Sequence, residues 1–349
     1  MKLSLAGVGK SWAGRTVISG LDLEVGEGQF CVVIGPTGCG KTTLLRIADL
    51  LLRPDAGRVM LDGRDLARSG ERERTKARRR MAMVFQRPWM LSGSVRANAG
   101  FALEVRGRRS DGALVESTLE SVGLAGFGGR TASTLSGGEM QKLALARAMI
   151  TKPEILILDE PLSSVDQSIR PELRSLLRSL HRSEGMSVLM ATHDVTDALA
   201  LATSAVVILD GLVAQSGSVE EVFLKPANRF VASFLGIRNV LPAAFEGSTA
   251  KAGDLIVAML EPASGRGFIA IQPESVTVST DHFESSQRNS FRGRISAMER
   301  QAFGWLVEVD CAGTSIASTV TVESVERLGL EPGREVFVSF KASSVHAFR

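Results

Sequence analysis

Two stretches of this chain have residues of the kind and spacing that handle phosphate. The first is Gly35-Pro36-Thr37-Gly38-Cys39-Gly40-Lys41-Thr42-Thr43. Its glycines let successive backbone N–H groups turn into one hollow, and a helix starting there adds a partial positive charge behind it. Lys41 is suited to reach β- and γ-phosphates, and the Thr42 hydroxyl is suited to hold Mg²⁺. The second is Leu135-Ser136-Gly137-Gly138-Glu139, where a serine and two glycines open a helical stretch. That makes a second anion site, although Ser136 and Glu139 also have capping-box spacing.

Acids and amides complete the chemistry. Asp159 and Glu160 end the apolar run Ile155–Leu158. Asp159 is suited to Mg²⁺ and Glu160 to taking a proton from water. Gln86 and His193 also follow apolar runs, Met81–Phe85 and Ser187–Ala191. Gln86 suits Mg²⁺ or the orientation of a water, and convergence of strand ends on one face puts His193 near phosphate. Trp12 offers either a core ring or a flat surface for adenine. Cys39 lies among backbone dipoles beside Lys41, which favour a thiolate, or else its thiol only fills a small-residue position; on the first reading alkylation is expected to inhibit turnover and nucleotide to protect.

These residues must be held by an α/β core. Phe30–Ile34, Met81–Phe85, Ile155–Leu158, Ser187–Ala191 and Ala205–Leu209 are continuous apolar runs of the buried parallel-sheet type. Ala205–Leu209 is expected to close the sheet. Helices are expected over Leu44–Leu52, Met140–Ile150 and from Ser163-Ser164-Val165-Asp166 to about His181. Lys2–Ala6 and Val17–Val25 read as strands of an antiparallel subdomain, the second with Val17, Ser19, Leu21, Leu23 and Val25 on one face. A helical insertion is expected at 87–150, and helices over Ser218–Phe223 and Asn228–Leu235.

Composition narrows the class. The chain has 349 residues, 44% hydrophobic and 23% charged, with net charge +3. That length implies more than one domain, and that charge gives no argument for nucleic acid. Arg72–Arg80 is locally basic and reads as a solvated helix or loop. Cys31, Cys39 and Cys311 have no metal-ligand spacing and fit a reducing compartment. The first residues lack the apolar core of a signal peptide, and Ala198–Leu209 is too short to span a bilayer.

After Leu235 the composition turns to Gly, Val and Ser with short alternating strands such as Trp305–Val309. An all-β small barrel is expected over 236–349. It contains a repeat. Arg238-Asn239-Val240-Leu241 recurs as Arg288-Asn289-Ser290-Phe291, and Gln272-Pro273-Glu274-Ser275-Val276 as Lys341-Ala342-Ser343-Ser344-Val345. Two half-repeats, 238–280 and 286–349, follow from this.

Taken together, residues 1–235 resemble the ATPase subunit of an ATP-binding-cassette transporter. The phosphate loop (Gly35 to Thr43), Gln86, the Ser136-Gly137-Gly138 signature, Asp159-Glu160, Asp166 and His193 occur in that family's order. The resemblance implies a P-loop cassette that binds ATP and Mg²⁺ and hydrolyses ATP. It makes Trp12 the adenine-stacking ring, Glu160 the base and His193 a γ-phosphate contact, with Thr42, Gln86 and Asp159 at the metal. It implies head-to-tail pairing, so that Ser136 and Gly138 of one copy meet the phosphate on Lys41 of the other. A homodimer, two permease subunits, an extracytoplasmic binding protein and a place on the cytoplasmic face of the membrane follow from it. Glu139 stands where the signature usually has Gln.

The second half-repeat is similar to the molybdate-binding domain of molbindins and of molybdate and tungstate importers. The matching segments are Ser286-Gln287-Arg288-Asn289, Thr321-Val322-Glu323-Ser324 and Lys341-Ala342-Ser343-Ser344. Hydroxyls, amides and one lysine suit a tetrahedral dianion. The resemblance implies oxyanion contact by Ser286, Arg288, Asn289, Thr321, Ser324, Lys341, Ser343 and Ser344. An oxyanion importer is therefore expected, with a sulfate, sugar or polyamine importer as the alternative. The first half-repeat lacks the lysine and is expected to be structural.

Overall fold

The structure is a computed structural model that describes residues 1–108, 111–282, 285–302 and 304–349. It divides into two compact units, Met1–Val219 and Glu220–Arg349. No helix among the described residues is long and apolar enough to cross a membrane.

The first unit has two sheets. Strands β1 (Leu3–Trp12) and β2 (Arg15–Val25) form a hairpin, and β3 (Phe30–Ile34) leads into helix α1 (Lys41–Ala48). Next come β4 (Ala56–Leu61), β5 (Arg64–Asp65), α2 (Glu71–Arg78) and β6 (Met81–Val84). Three helices follow, α3 (Val95–Val105), α4 (Gly112–Ser121) and α5 (Gly137–Met149). The unit closes with β7 (Ile155–Asp159), α6 (Arg170–Glu184), β8 (Ser187–Thr192), α7 (Val195–Leu201), β9 (Ser204–Leu209) and β10 (Leu212–Ser218).

The antiparallel sheet has the order β2-β1-β4-β5, and the larger sheet the order β10-β9-β3-β8-β7-β6. β3, β7 and β8 are buried at every position. Burying the Ile155–Leu158 side chains is worth about 1.5–3 kcal/mol each, which explains why no polar residue interrupts the run. β6, β7, β8, β3 and β9 run parallel, so their carboxyl ends emerge on one edge. Residues far apart in sequence are gathered there for that reason.

Several elements differ from expectation. Ala205–Leu209 does not close the sheet; β10 pairs antiparallel outside it. On β2 the buried residue is Ile18, not Ser19, because register shifts against β1 turn the strand over near Gly20, where φ is +61°. Helix α6 starts at Arg170, and Ser163–Ile169 forms turns.

The second unit starts one residue into α8 (Val219–Leu224) and continues with α9 (Arg229–Phe234), followed by β11 (Asn239–Ala252), β12 (Leu255–Ile271) and β13 (Thr277–Ser279). The remaining elements are β14 (Asn289–Gln301), β15 (Gly304–Cys311), β16 (Thr314–Val320), α10 (Val322–Leu328), β17 (Glu335–Phe340) and β18 (Val345–Phe348). The unit boundary precedes the composition shift after Leu235. Ala232 of α9 is buried with Ile237, Ala270 and Phe348, and Gln272 Nε2 donates to the Phe223 carbonyl at 2.9 Å. These contacts tie both helices to the β strands after them.

The two halves of this unit match in detail. Asn239 lies opposite Ile271 as Asn289 lies opposite Phe340. A single 3₁₀ turn follows each, Pro273–Ser275 and Ala342–Ser344. The halves then exchange their last strands: β13 pairs with β17, while β18 pairs with β12. One apolar core, including Val257, Ile269, Val307, Val309, Val338 and Phe340, serves both sheets.

Candidate active site

The glycine loop is shaped by close approaches. A Cβ at Gly35 would lie 2.3 Å from the Ile208 carbonyl oxygen, and Gly40 has φ +105° with the Val17 carbonyl 3.0 Å from a Cβ position. Neither place admits a side chain. Lys41 is almost fully buried, and its Nζ donates to the carbonyls of Gly35 at 2.8 Å and Pro36 at 3.0 Å.

The strand ends meet this loop. Thr42 Oγ1 donates to Asp159 Oδ1 at 3.0 Å. Lys41 Nζ lies 3.6 Å from Glu160 Oε1. The other Glu160 oxygen is 3.1 Å from His193 Nδ1 and accepts from Gln86 Nε2 at 3.4 Å. Glu160 itself has φ +46°. Its N–H donates to the Ala191 carbonyl and its carbonyl accepts from Ser163 Oγ. These bonds hold a backbone conformation that L residues rarely adopt. Burial pushes the Asp159 carboxyl up, opposed chiefly by the Thr42 hydroxyl.

A cavity of about 750 Å³ opens on this cluster. Its wall includes Thr37, Gly38, Gly40, Lys41, Thr42, Thr43, Gln86, Glu160 and His193. Val17, Arg87, Ser163 and Ser164 line it as well. Sequence reasoning did not place them there. The sequence predicts Ser163 and Ser164 as the start of a helix, and their place between Glu160 and Asp166 is the signal that they line the site.

Other sequence-predicted residues lie off that wall. Ser136 caps α5: its Oγ accepts from Glu139 N at 3.4 Å, and Glu139 Oε2 accepts from Ser136 N at 2.8 Å. That N–H holds the Glu139 carboxyl below its ordinary range. Gly137 opens the helix, and Gly138 packs on Ile169, whose Cγ2 lies 3.1 Å from a Cβ position. The Trp12 ring is half exposed, with Lys10 Nζ 5.0 Å from its centroid. Asp166 is exposed in the turns before α6.

Cys39 departs from the thiolate expectation. It is 6% exposed, and burial raises its thiol above the ordinary range, outweighing Lys41. Loop dipoles lose because the sulfur packs inward, toward Gly35.

In the second unit the eight oxyanion candidates differ in exposure and partners, and the Asn289–Phe340 pairing sets the end of one segment beside the start of another. Asn289 is buried, and its amide exchanges one hydrogen bond in each direction with the Ala258 backbone. Thr321 Oγ1 caps α10 and donates to Ser324 Oγ at 3.0 Å. Ser286, Arg288, Lys341 and Ser343 are exposed and Ser344 is half-buried. The Gln272 counterpart of Lys341 is held by the Phe223 carbonyl. Lys341 makes no ion pair among the described residues.

A parallel sheet whose carboxyl edge carries a glycine phosphate loop, an Asp-Glu strand end and a strand-end histidine defines a nucleotide-hydrolysing cassette. The chain belongs to the ABC transporter family, as an importer ATPase with a C-terminal TOBE domain. The ABC transporter model matches residues 18–163 and the TOBE domain model residues 285–347. The molybdate/tungstate import ATP-binding protein WtpC of Pyrococcus horikoshii is 32% identical over 94% of each chain. The Fe(3+) ions import ATP-binding protein FbpC of Escherichia coli K12 is 36% identical over 82% of each. The sulfate/thiosulfate import protein CysA 2 of Chromobacterium violaceum is 33% identical over 99% of this chain and 95% of its own. Among solved structures, the dimeric post-hydrolysis cassette MJ0796 bound to ADP and Pi superposes with TM-score 0.58 at 26% identity. It covers 62% of this chain and 98% of that one.

Proposed function

We propose that this chain is the energy-coupling ATPase of an oxyanion importer, with molybdate or tungstate as cargo. It works as a homodimer at the cytoplasmic face of the membrane with two permease subunits and an extracytoplasmic binding protein. The likeness to WtpC along 94% of both chains supports the cargo assignment. The observation that carries it is in the tail. Lys341, beside Ser343 and Ser344, is exposed and makes no ion pair among the described residues, whereas its Gln272 counterpart is taken up by a backbone carbonyl. A cation beside hydroxyls and backbone N–H groups suits a tetrahedral dianion.

In the cassette, Lys41 leaves the Gly35 and Pro36 carbonyls for the β- and γ-phosphates. Glu160 takes the proton of the attacking water while Gln86 and His193 hold its carboxylate in place. Thr42, Asp159 and Gln86 would hold Mg²⁺, a hard cation that prefers oxygen ligands, and the ion, when bound, would supply neutralisation of charge developing on the phosphates. Trp12 stacks on adenine, and Ser136, Gly137 and Gly138 of the opposite copy close over the γ-phosphate, with Asp166 at the same interface.

A second reading is sulfate import, favoured by the CysA 2 likeness over 99% of this chain. Calorimetric titration of the purified chain with molybdate, tungstate, sulfate and Fe³⁺ separates the readings. Molybdate and tungstate are expected to bind, with Lys341→Ala abolishing the heat. Bound anion is also expected to slow hydrolysis by the assembled transporter, as far as it prefers the resting state. Sulfate binding with no response to molybdate would overturn the cargo assignment.

A further inference from the structure

The cavity that opens on Lys41 and Glu160 has a second cation on its wall, Arg87. Arg87 is exposed, and its guanidinium makes no hydrogen bond or ion pair among the described residues. The backbone around it is held on both sides. Ser164 Oγ donates to the Gln86 carbonyl at 3.3 Å, and Arg147 Nη1 donates to the Trp89 carbonyl at 2.8 Å. Between them Pro88 narrows the conformations open to Arg87, because its ring crowds the residue before it. The chain bends at Gln86 and Arg87, so two neighbouring side chains serve one wall. Gln86 is already engaged there: its Nε2 donates to Glu160 Oε2 at 3.4 Å and to Ser163 Oγ at 3.3 Å.

The wall has few charges to set against a triphosphate. Lys41 Nζ lies 3.6 Å from Glu160 Oε1, so those two charges offset each other. That leaves Arg87 as the uncompensated cation among the lining residues. A positive charge on the wall of a cleft draws anions into it. Its guanidinium is a planar fork of N–H donors that matches two phosphoryl oxygens at once. Arg87 also shares its wall with Gln86, Glu160 and His193, the groups assigned to the attacking water and the γ-phosphate.

We propose that Arg87 is a further catalytic residue, its guanidinium binding the oxygens of the γ-phosphoryl group through cleavage. In that step the water oxygen bonds to the γ-phosphorus, and the bond from that phosphorus to the bridging oxygen breaks, leaving its electron pair on ADP. The water proton goes to Glu160, and Arg87 keeps its own protons throughout. Its charge offsets the negative charge on the transferring oxygens. This rests on the proposed seat of the triphosphate at Lys41 and of the base at Glu160. The two fail separately, since Lys41→Ala and Glu160→Gln test that seat with Arg87 in place.

The test compares nucleotides with and without a γ-phosphate on the purified full-length chain. Arg87→Gln should lower kcat/KM for ATP by about ten- to a hundredfold, the range for a hydrogen bond to a charged group. In the Glu160→Gln background, where ATP persists, Arg87→Gln should weaken ATP binding and leave ADP binding unchanged, because ADP lacks the group that Arg87 contacts. Unchanged ADP affinity also shows that the variant folds. Arg87→Lys keeps the charge but loses the fork, and should recover part of the loss. Arg182→Gln removes an exposed arginine away from the cavity and should turn over as wild type. Wild-type kcat/KM in Arg87→Gln, or equal loss of ATP and ADP affinity, overturns the proposal. An Arg87→Gln chain that hydrolyses ATP normally alone but loses stimulation by its permease would also overturn it, and would assign Arg87 to that partner.

Discussion

Asn239 and Asn289 each clasp the backbone of the other half of the tail. Asn239 Nδ2 donates to the Ala317 carbonyl at 2.8 Å, and its Oδ1 accepts from Ala317 N at 2.6 Å. Asn289 does the same to Ala258, at 3.0 Å and 2.7 Å. Both are buried at the first residue of their strands. The amide mimics a strand neighbour, supplying one donor and one acceptor where the ladder has none.

Removing the Asn239 clasp strands the N–H and C=O of buried Ala317, whereas Ala258, the partner of Asn289, is half-buried. Asn239→Ala is expected to cost about 2–4 kcal/mol and Asn289→Ala less. Urea unfolding followed through Trp305, the only tryptophan of this unit, measures the loss. A cost within a few tenths of a kcal/mol would show that the strand exchange holds the halves without the clasps.

Glu160 is predicted to be the base. Glu160→Gln should retain ATP binding and lower hydrolysis by about two to four orders of magnitude. Lys41→Ala should weaken binding itself, since Lys41 is the proposed phosphate ligand. Equilibrium nucleotide binding and steady-state phosphate release distinguish the two variants. Near-normal turnover by Glu160→Gln would move the base elsewhere.

Asp49, at the carboxyl end of α1, is 7% exposed, and burial pushes its carboxyl up to about 7 despite the nearby Arg78. Its pKa is higher folded than unfolded, so its contribution to stability is complete below about pH 4 and lost as pH rises to about 7. Asp49→Asn should therefore stabilise the first unit near pH 8, by about 3–4 kcal/mol at most, and change it little near pH 4. Thermal melts at the two pH values test this. An equal shift at both would mean that the charge is not the cause.

Cys39 is expected to be slow to alkylate near neutral pH, with reactivity rising at alkaline pH. Burial lifts all three thiols, Cys31 to about 11 and Cys311 to about 12. Peptide mass spectrometry after timed iodoacetamide exposure gives the rate for each. ATP should slow Cys39 further. Rapid labelling at neutral pH would mean that the phosphate loop opens far more often than its packing implies.

The chemistry of the cassette was legible in the sequence because its signals are local. A glycine loop after an apolar strand, an acid pair ending another and a histidine ending a third each carry their own meaning. Parallel pairing then puts all three ends on one edge, so Lys41, Glu160 and His193 meet. What long-range pairing decides was not legible. β10 continues the sheet beyond β9, Ile18 replaces Ser19 in the core, and Ser163 and Ser164 turn toward the cavity instead of starting a helix. The repeat could be read from Arg238-Asn239 and Arg288-Asn289, but the work of the two asparagines could not. An amide bonds a ligand or a distant backbone equally well, and only the exchange of β13 and β18 between the halves brings Ala317 and Ala258 within reach of Asn239 and Asn289.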